Sequence, residues 1–338
     1  MNCSTNHSST GNSAERYKVS VIISTYNRWP YLCDLMKSLE KQSYPYFEVI
    51  IINGPSTDET FRVKKLYPNV KYVEIKERNI SVSRNVGIKI ANGDCVVFID
   101  DDALPCDSDW LSRFVKTFKS DRNIIAIAGP TKGKWTETYE FYRAFSSFYG
   151  KIFYIWPPSK ELEKNDQLLF ETGIGTNIAI RRKELLEIGG FDEYYLYYFD
   201  ENDVHYRLYS KGYRTFNLKN NFVRHFRAPS NVRGNGFDLN WSIFAKSTAY
   251  YGMKNGNDRF FIRIINVIKV LFSDKSLEII SYYRDNQISI FSLIKYLIKY
   301  YYGGIIGVLA GIFIRRKFLP KEYVNRDYKY INCFNITD

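Results

Sequence analysis

Short apolar runs rich in Val and Ile recur along the first part of the chain, and polar or turn-forming residues follow each run. Runs of this kind are typical of strands buried on both faces of a parallel sheet. The predicted strands are residues 18–24, 47–52, 70–75 and 95–99.

Between these runs the apolar spacing becomes helical. Leu32, Leu35 and Leu39 fall on one helix face, and residues 82–92 form a second predicted helix. Strands and helices that alternate in this way predict a parallel sheet flanked by helices, with right-handed crossovers.

Three polar segments follow the first, second and fourth predicted strands. They are STYNR (24–28), NGPSTD (53–58) and DDDALP (100–105). Ligands of such sheets bind beyond the carboxyl ends of the strands. We therefore expect the three segments to form a binding site on one edge of the sheet.

Asp100, Asp101 and Asp102 are consecutive carboxylates on this edge. Two unit charges about 4 Å apart repel by roughly 4 kcal/mol near a protein surface, so a cation is expected among them. The sequence has no glycine-rich phosphate-binding motif of the dinucleotide or P-loop type, whereas Mg²⁺ or Mn²⁺ suits oxygen ligands together with substrate phosphates. The alternative is that the carboxylates cap a turn or the next helix.

Several motifs resemble those of a known family. The segments VSVIISTYNR, VIIINGPSTDET, SRNVGI, FIDDDALP, GGFDE and FDENDVHYRL, in this order over about residues 18–230, are similar to motifs of inverting family 2 glycosyltransferases of bacterial type. The resemblance implies the GT-A fold, a Rossmann-like, mostly parallel α/β sheet flanked by helices. It also implies transfer of a sugar from a nucleoside diphosphate sugar, here expected to be UDP-linked, to a hydroxyl acceptor.

The resemblance assigns the nucleotide-sugar site to residues after the first two strands, to Arg84 and to the first two aspartates of the triplet. Asn53 stands where Asp is usual, and its amide oxygen can still accept a hydrogen bond from a base. The implied nucleotide-sugar-binding residues are Ser24, Thr25, Tyr26, Arg28, Asn53, Arg84, Asp100 and Asp101.

Asp100 and Asp102 match the D-x-D motif of the family. The resemblance implies a Mn²⁺ or Mg²⁺ ion, with Asp102 as its direct ligand, Asp100 nearer the ribose, and His225 beside the metal and the diphosphate. A divalent cation would stabilise the charge that builds on the departing diphosphate. For a lone histidine such as His225, a structural role is the alternative.

Inverting transfer also needs a carboxylate base away from the metal, because the acceptor hydroxyl loses a proton as it attacks. The resemblance assigns this role to Glu201, with Asp200 as the second choice and Asp203 in the same acidic cluster. Carboxylates also favour helix N-termini, so a capping role is the alternative for the cluster.

The middle of the chain combines aromatic and glycine-rich stretches. Aromatic residues between 139 and 149 fall near helical spacing, and core packing or contact with a sugar or lipid would explain them. Residues 171–193 predict a glycine-rich loop, a strand and a short helix ended by Gly189 and Gly190. In the family, the loop 172–177 helps to form the acceptor side.

The composition indicates the charge of the expected partner and the cellular compartment of the protein. The 338 residues carry a net charge of +12 with 29 Tyr and 24 Phe, which favours an anionic partner. Five scattered cysteines without a C-x-x-C pair argue against a disulfide framework or a zinc site and favour a reducing, cytoplasmic compartment. Residues 1–16 are polar throughout, so we expect a disordered tail rather than a signal peptide or an anchor.

The positive charge is concentrated near the C-terminus, where residues from Met253 onward contribute +7. Residues 300–314 form an uncharged run of 15, about 22 Å as a helix and shorter than a bilayer core of about 30 Å. We expect a basic, apolar helix in peripheral contact with the inner face of the cell membrane; soluble packing or a short or re-entrant span is the alternative. Gly303, Gly307 and Gly311 share one face and predict close packing within the chain or in a homodimer.

These features divide the chain into a disordered tail (1–16), a catalytic domain (17–235) and a helical basic and apolar extension (236–338). We expect a metal-dependent inverting hexosyltransferase that acts on a glycan or lipid-linked acceptor of the cell envelope. A sugar nucleotidyltransferase would carry a glycine-rich loop after the first strand, and a non-catalytic nucleotide-sugar or polyanion binder would need no acid at Glu201. Nucleic acid is not an expected partner, because the cations gather in an apolar segment.

Overall fold

The computed structural model describes residues 16–134, 136–157, 169–230 and 233–319. Except for Arg16, the tail predicted for residues 1–16 lies outside them. The strands are β1 (Val19–Thr25), β2 (Phe47–Asn53), β3 (Lys71–Glu74), β4 (Cys95–Phe98), β5 (Ala103–Pro105), β6 (Ile124–Ala128), β7 (Thr131–Lys132), β8 (Tyr139–Phe141), β9 (Arg143–Ser147), β10 (Ile152–Ile155), β11 (Leu169–Thr172), β12 (Ile178–Arg181), β13 (Arg214–Asn217), β14 (Val223–His225), β15 (Gly234–Asn235) and β16 (Asp238–Leu239). The helices are α1 (Trp29–Leu39), α2 (Val63–Leu66), α3 (Ile80–Ile90), α4 (Trp110–Ser120), α5 (Arg182–Glu187), α6 (Asp200–Ser210), α7 (Trp241–Asn255), α8 (Phe260–Ser273), α9 (Lys275–Arg284) and α10 (Ile290–Phe313).

The central sheet has seven strands in the order β13-β6-β12-β4-β1-β2-β3. Strands β2 and β4 are parallel to β1, and β3 is parallel to β2, whereas β12 runs antiparallel to both β4 and β6. The mostly parallel α/β sheet and its four predicted strands are confirmed. The helix predicted at 82–92 begins earlier, at Ile80, because the side chain of Asn79 accepts hydrogen bonds from the backbone N–H groups of Ser81 and Val82.

Strand β2 shows why the apolar runs lack polar alternation. Val49 and Ile51 pack into a core with α1 and α4, whereas Ile50 and Ile52 pack on the opposite face with α3, α5 and α6. Successive side chains of a strand point to opposite faces, so both faces of β2 must be apolar. The parallel strands β1, β2 and β4 then end at the same edge of the sheet.

The aromatic stretch at 139–149 is not helical. It forms β8, β9 and a turn, and β9 pairs with both β10 and β11 in an antiparallel three-stranded sheet. Ala144 and Ser146 of β9 are buried while their neighbours are half-buried, which is the period of a strand. The near-helical spacing of the rings was therefore misleading, because strand pairing with β10 and β11 decides this segment.

Helices α7 to α10 form a bundle with its own apolar core, which includes Trp241, Ala245 and Tyr300. Gly303 and Gly307 of α10 face α7 directly, since a Cβ at these positions would overlap the backbone oxygens of Ser242 and Lys246. The predicted close packing of the glycine face is confirmed, and it occurs within the chain.

Among the described residues, α10 alone is long and apolar enough to cross a membrane, with 24 residues and a mean hydropathy of 1.3 over its most apolar 18 residues. A helix of this length spans about 36 Å. The helix extends ten residues before the run 300–314 that was considered from the sequence and ends at Phe313, so helix length gives no argument against a span. One third of its most apolar window is buried against the rest of the chain.

Candidate active site

The residues expected to bind the nucleotide lie where β1 and β2 end. Ser24 and Thr25 are the last residues of β1 and pair with Ile52 and Asn53 of β2. The backbone N–H of Gly54 donates to the carbonyl of Thr25 at 2.8 Å, which joins the two loops.

Asn53 is buried at this edge, and its side chain is held on both sides. Its Nδ2 donates to the hydroxyl of Tyr72 at 2.8 Å, and its Oδ1 accepts from Ser56 Oγ at 2.6 Å. The guanidinium of Arg78 lies 4.1 Å from the ring centroid of Tyr26. The ring of Tyr26 lies beside Gly54, which follows Asn53 in the chain. Tyr72 and Arg78 are neighbours that no sequence motif indicated.

Arg28 supplies part of the positive charge expected among the aspartates. Its Nη1 lies 2.8 Å from Asp101 Oδ1 and 3.3 Å from Asp102 Oδ2, and both carboxylates are buried. Burial raises the pKa of Asp101 to about 7 despite the attraction of Arg28. Asp102 Oδ2 also accepts a hydrogen bond from the backbone N–H of Ala228 at 2.6 Å. The N-cap residue of the next helix, α4, is Asp109, and its side chain makes no capping hydrogen bond. The triplet is thus engaged with other parts of the site rather than with a helix end.

Asp100, Asp102 and His225 form a cluster whose possible ligand atoms all lie within 4.8 Å of one another. His225 reaches the triplet because β14 pairs with β5, which places His225 opposite Ala103. Two carboxylates and an imidazole are a donor set that Mn²⁺ accepts readily. The residues present therefore fit a divalent cation.

Glu140 orients the histidine of this cluster. Its Oε2 lies 3.0 Å from His225 Nδ1, while Nε2 faces Asp102 Oδ1 at 3.4 Å. A carboxylate partner of this kind fixes the ring and leaves the other nitrogen for a metal. Burial opposes protonation of His225, but Asp102 and Glu140 raise its pKa to about 9, so the ring is a cation when no metal is bound.

The acidic cluster at the start of α6 meets Arg84, which is almost fully buried. Arg84 Nη1 donates to Glu201 Oε1 at 2.9 Å and also to Asp200, and its Nη2 lies 3.9 Å from Asp100 Oδ1. One guanidinium therefore joins the aspartate triplet to the candidate base.

The loop 172–177, which precedes β12, also contacts Glu201 and Asp100. Gly175 N–H donates to Glu201 Oε1 at 3.0 Å, and Thr176 Oγ1 donates to Asp100 Oδ2 at 2.6 Å. A Cβ at position 175 would overlap Arg84 Nη2 and Glu201 Oε1, so this close approach requires glycine. The loop 172–177 thus contacts both ends of the site.

Asp200 and Glu201 have opposite protonation tendencies. Burial and repulsion from Glu201 raise the pKa of Asp200 well above its usual range. Burial also opposes ionisation of Glu201, but Arg84 and hydrogen bonds hold the pKa of Glu201 below its usual range. Glu201 is therefore the acid of the pair that ionises more readily, and its side chain is 17% exposed against 3% for Asp200.

Asp203 is separated from this pair although it belongs to the same helical turn. Its side chain is fully buried and contacts Arg207 Nε at 2.7 Å, Asn255 Nδ2 at 3.1 Å and Arg316 Nη2 at 3.1 Å. Phe199, the N-cap residue of α6, makes no side-chain cap. Asp203 thus does not belong to the cluster that Asp200 and Glu201 form around Arg84.

An exposed aromatic pair lies on the sheet that leads into loop 172–177. The rings of Tyr154 and Trp156 stack with centroids 6.1 Å apart, and both residues are exposed. Tyr154 belongs to β10, and β11 of the same sheet ends at Thr172. Tyr197, which lies shortly before α6, packs edge-on against Phe244.

The fold is similar to those of solved glycosyltransferases. The Staphylococcus aureus TarS 1–349 structure in complex with UDP-GlcNAc matches with a TM-score of 0.54 at 16% identity, over 87% of this chain and 91% of that chain. Mannosyltransferase PcManGT from Pyrobaculum calidifontis, in complex with GDP-Man and Mn²⁺, matches with a TM-score of 0.52 at 14% identity, over 90% of this chain and 89% of that chain. The expected GT-A architecture is confirmed.

Sequence comparison gives the same result. The uncharacterized glycosyltransferase YwdF of Bacillus subtilis is 33% identical over 148 residues, which are 39% of this chain and 55% of that protein. Glucosyl-dolichyl phosphate glucuronosyltransferase of Haloferax volcanii is 28% identical over 182 residues, 52% of this chain and 56% of that protein. The chain thus matches about half the length of these relatives. The sequence profile of Glycosyl transferase family 2 matches residues 20–189, half of the chain, which therefore belongs to this family.

Proposed function

We propose that the protein is an inverting glycosyltransferase that moves a sugar from a nucleoside diphosphate sugar to a hydroxyl acceptor. The observation that carries this proposal is the position of Arg84, which lies between Asp100 of the candidate metal cluster and Glu201. The leaving diphosphate needs a positive group that stabilises its negative charge, and the attacking hydroxyl needs a base on the opposite side of the sugar. The candidate metal cluster would provide the first, and Glu201 would provide the second.

Glu201 is the proposed base. Arg84 and Gly175 both donate to its Oε1, which fixes the carboxylate in place. Glu201 would take the proton of the acceptor hydroxyl as that hydroxyl attacks the sugar. Burial and the neighbouring Glu201 raise the pKa of Asp200, so Asp200 would ionise less readily than Glu201.

Asp100, Asp102 and His225 are the proposed holders of a divalent cation, and Mn²⁺ in the PcManGT structure supports this choice. Such an ion would supply charge stabilisation to the departing diphosphate. Arg28 lies against Asp101 and Asp102 and adds a second positive charge on the same side.

A uridine base is the proposed nucleotide component. Asn53 Oδ1 accepts from Ser56, and an amide oxygen has a second lone pair that can accept the uracil N3–H. The ring of Tyr26 lies beside the next residue, Gly54, with the guanidinium of Arg78 4.1 Å from its centroid. The UDP-GlcNAc complex of TarS supports a UDP-linked donor.

The proposed acceptor is a glycan or lipid-linked saccharide. Exposed aromatic rings such as Tyr154 and Trp156 provide flat apolar faces, and the name of the Haloferax volcanii relative indicates a lipid-linked acceptor for that protein. We also propose a cytoplasmic location, which the free thiols of Cys33, Cys95 and Cys106 support.

Donor screening tests the proposal directly. Purified protein, Mn²⁺ and a panel of nucleotide sugars are combined, and the released nucleoside diphosphate is measured with and without saccharide acceptors. We expect release with a UDP-sugar and its loss with a chelator or with Asp102→Asn. Binding of nucleotide sugars without turnover, unchanged by Glu201→Gln, would instead favour a non-catalytic binding protein.

A further inference from the structure

The bundle formed by α8, α9 and α10 presents an apolar outer face. Most of the large apolar side chains that are exposed among the described residues lie between 260 and 314. On α10, Phe291 is 81% exposed, Ile298 65% and Ile305 61%. Soluble monomers rarely expose contiguous apolar patches of this kind without a partner.

The outer face of α10 is directly opposite its packed face. Tyr296, Tyr300, Gly303 and Gly307 are buried, and the glycines lie against α7. Residues at positions 291, 298, 305 and 309 fall on the other side of the helix at 100° per residue. A helix that is apolar all round is normally covered all round, and here only one side is covered.

The apolar face continues onto α8. The rings of Phe272 and Tyr301 are 5.1 Å apart, which joins the two helices at their surface. Phe261 is 76% exposed, and Ile265 and Ile268 are exposed on the same side of α8. The exposed surface is therefore one continuous face of two helices, extended by Leu277 and Ile280 of α9.

Cations border this face. Lys269 of α8, Lys295 and Lys299 of α10, and Arg259 and Arg315 at helix ends are all exposed. The salt bridges within α9 join Lys275 to Glu278 and Arg284 to Asp285, and none of the five bordering cations forms a salt bridge with a described residue. An apolar face with an unneutralised basic edge is complementary to an anionic lipid surface.

We propose that α8, α9 and α10 form a docking surface for an anionic lipid bilayer, with α10 lying in the plane of the interface. A second copy of the chain fits less well, because it would bring the same basic edges together. A transmembrane position for α10 fits less well too, because its inner face is packed along α7. Helix α7 is itself attached to the rest of the chain, because Tyr250 and Tyr251 pack in one aromatic core with Tyr195 and Phe199.

Vesicle flotation of the full chain tests this docking surface without any enzymatic readout. Vesicles of equal parts phosphatidylcholine and phosphatidylglycerol are compared with vesicles of phosphatidylcholine alone. We expect the protein to float with the anionic vesicles, to bind the neutral ones about tenfold less, and to be released by high salt.

Two double variants separate the apolar and the charged contributions. Ile298→Ser with Ile305→Ser and Lys295→Gln with Lys299→Gln should each weaken binding about tenfold or more. The matched controls lie on other surfaces: Phe61→Ser with Leu66→Ser, and Lys116→Gln with Lys119→Gln. All eight positions are exposed, so the melting temperatures should stay close to that of the parent protein.

Three outcomes would overturn the proposal. The first is no flotation with anionic vesicles, or equal losses in the control variants. The second is a dimer in sedimentation that Ile298→Ser with Ile305→Ser dissociates, which would assign the face to a second copy. The third is retention on the vesicles through high-salt and alkaline washes, which would assign α10 to a span. Loss of transferase activity alone would bear only on the proposed function.

Discussion

Arg84 shows how much of the candidate site depends on a single buried side chain. Its guanidinium contacts Asp100, Asp200 and Glu201, which come from two distant segments of the chain. A buried cation needs neighbouring anions, and buried anions need a cation. The motif SRNVGI and the acidic start of α6 are therefore parts of one electrostatic unit.

The first prediction concerns the two acids that Arg84 contacts. Glu201→Gln should lower kcat by about 10²- to 10⁴-fold because it removes the proton acceptor, while the KM for the donor stays close to its original value. Asp200→Asn is the matched control, since asparagine has the size of aspartate and this position is not the proposed proton acceptor, and it should lower kcat much less. Steady-state kinetics of both variants measure the difference. Equal losses in the two variants would contradict the assignment of the base.

The pH profile tests the same assignment. Glu201 acts as an anion, and the pKa of Glu201 lies below its usual value. Protonation of Glu201 should therefore not limit activity near neutral pH and should lower activity only as the pH falls through this lowered pKa. The measurement is kcat/KM against pH at saturating Mn²⁺, so that protonation of His225 does not limit metal binding. Asp101, whose pKa is about 7, could add an acidic limb near that pH, and Asp101→Asn would remove it. A limb near pH 7 that persists in Asp101→Asn would be inconsistent with Glu201 as the base.

Glu140 gives a further prediction at the residue scale. Its contact with His225 Nδ1 orients the ring, so Glu140→Gln should weaken Mn²⁺ affinity by about 10- to 100-fold. Titration of free Mn²⁺ by electron paramagnetic resonance measures this without any turnover. Glu137→Gln is the control, because Glu137 pairs with Lys132 and Arg224 instead. Equal affinities of the two variants would show that Glu140 does not support the metal cluster.

At the scale of elements, α6 is held by a buried ionic group on the side away from Glu201. Asp203 joins α6 to α7 through Asn255 and to the segment after α10 through Arg316. That segment also contacts the GGFDE motif, since Leu319 N–H donates to the carbonyl of Gly189 at 2.9 Å. The helix that carries the proposed base is therefore fixed by the C-terminal region.

Asp203→Asn should lower the free energy of unfolding by about 3 kcal/mol, because it leaves buried guanidinium groups without their carboxylate. Urea denaturation measures this, and Asp34→Asn at an exposed position of α1 is the control. The pKa of Asp203 is lowered by Arg207 and Arg316, which outweigh burial. This stabilisation should be present above about pH 4 and lost as the pH falls through the lowered pKa. A larger effect on kcat than on stability would assign Asp203 to the chemistry instead.

At the scale of the whole molecule, the predicted boundary at residue 235 cuts through a shared aromatic core. The rings of Tyr194 and Tyr250 are 4.1 Å apart, and those of Phe199 and Tyr251 are 4.8 Å apart. Both pairs join the catalytic part to α7. The C-terminal region therefore contributes to the stability of the part that carries the proposed active site.

A fragment that ends at residue 235 should expose these rings and lose cooperative unfolding. The measurements are its solubility, its near-ultraviolet circular dichroism and its thermal transition, compared with those of the full chain. A soluble monomer with a native spectrum and an unchanged melting temperature would show that residues 17–235 fold independently, as the sequence suggested.

The periodicity of the chain was sufficient to predict β1 to β4, the helices α1 and α3, and the edge of the sheet where the polar segments meet. Strand β2 is apolar at successive positions because both of its faces are buried, and this pattern is local. The aromatic stretch 139–149 was less predictable, because its strands depend on partners from β10 and β11.

The sequence by itself determined the mostly parallel α/β fold and the acidic positions available for chemistry, because short-range patterns specify strands and turns. Only the tertiary structure decided which acids act together. Arg84 and Asp200 are 116 positions apart, and Asp102 and Ala228 are 126 apart. Neighbouring acids of α6 point to different partners around the helix, so Glu201 faces Arg84 while Asp203 faces Arg316. These contacts join residues that are far apart in the sequence, so a local sequence pattern cannot predict them.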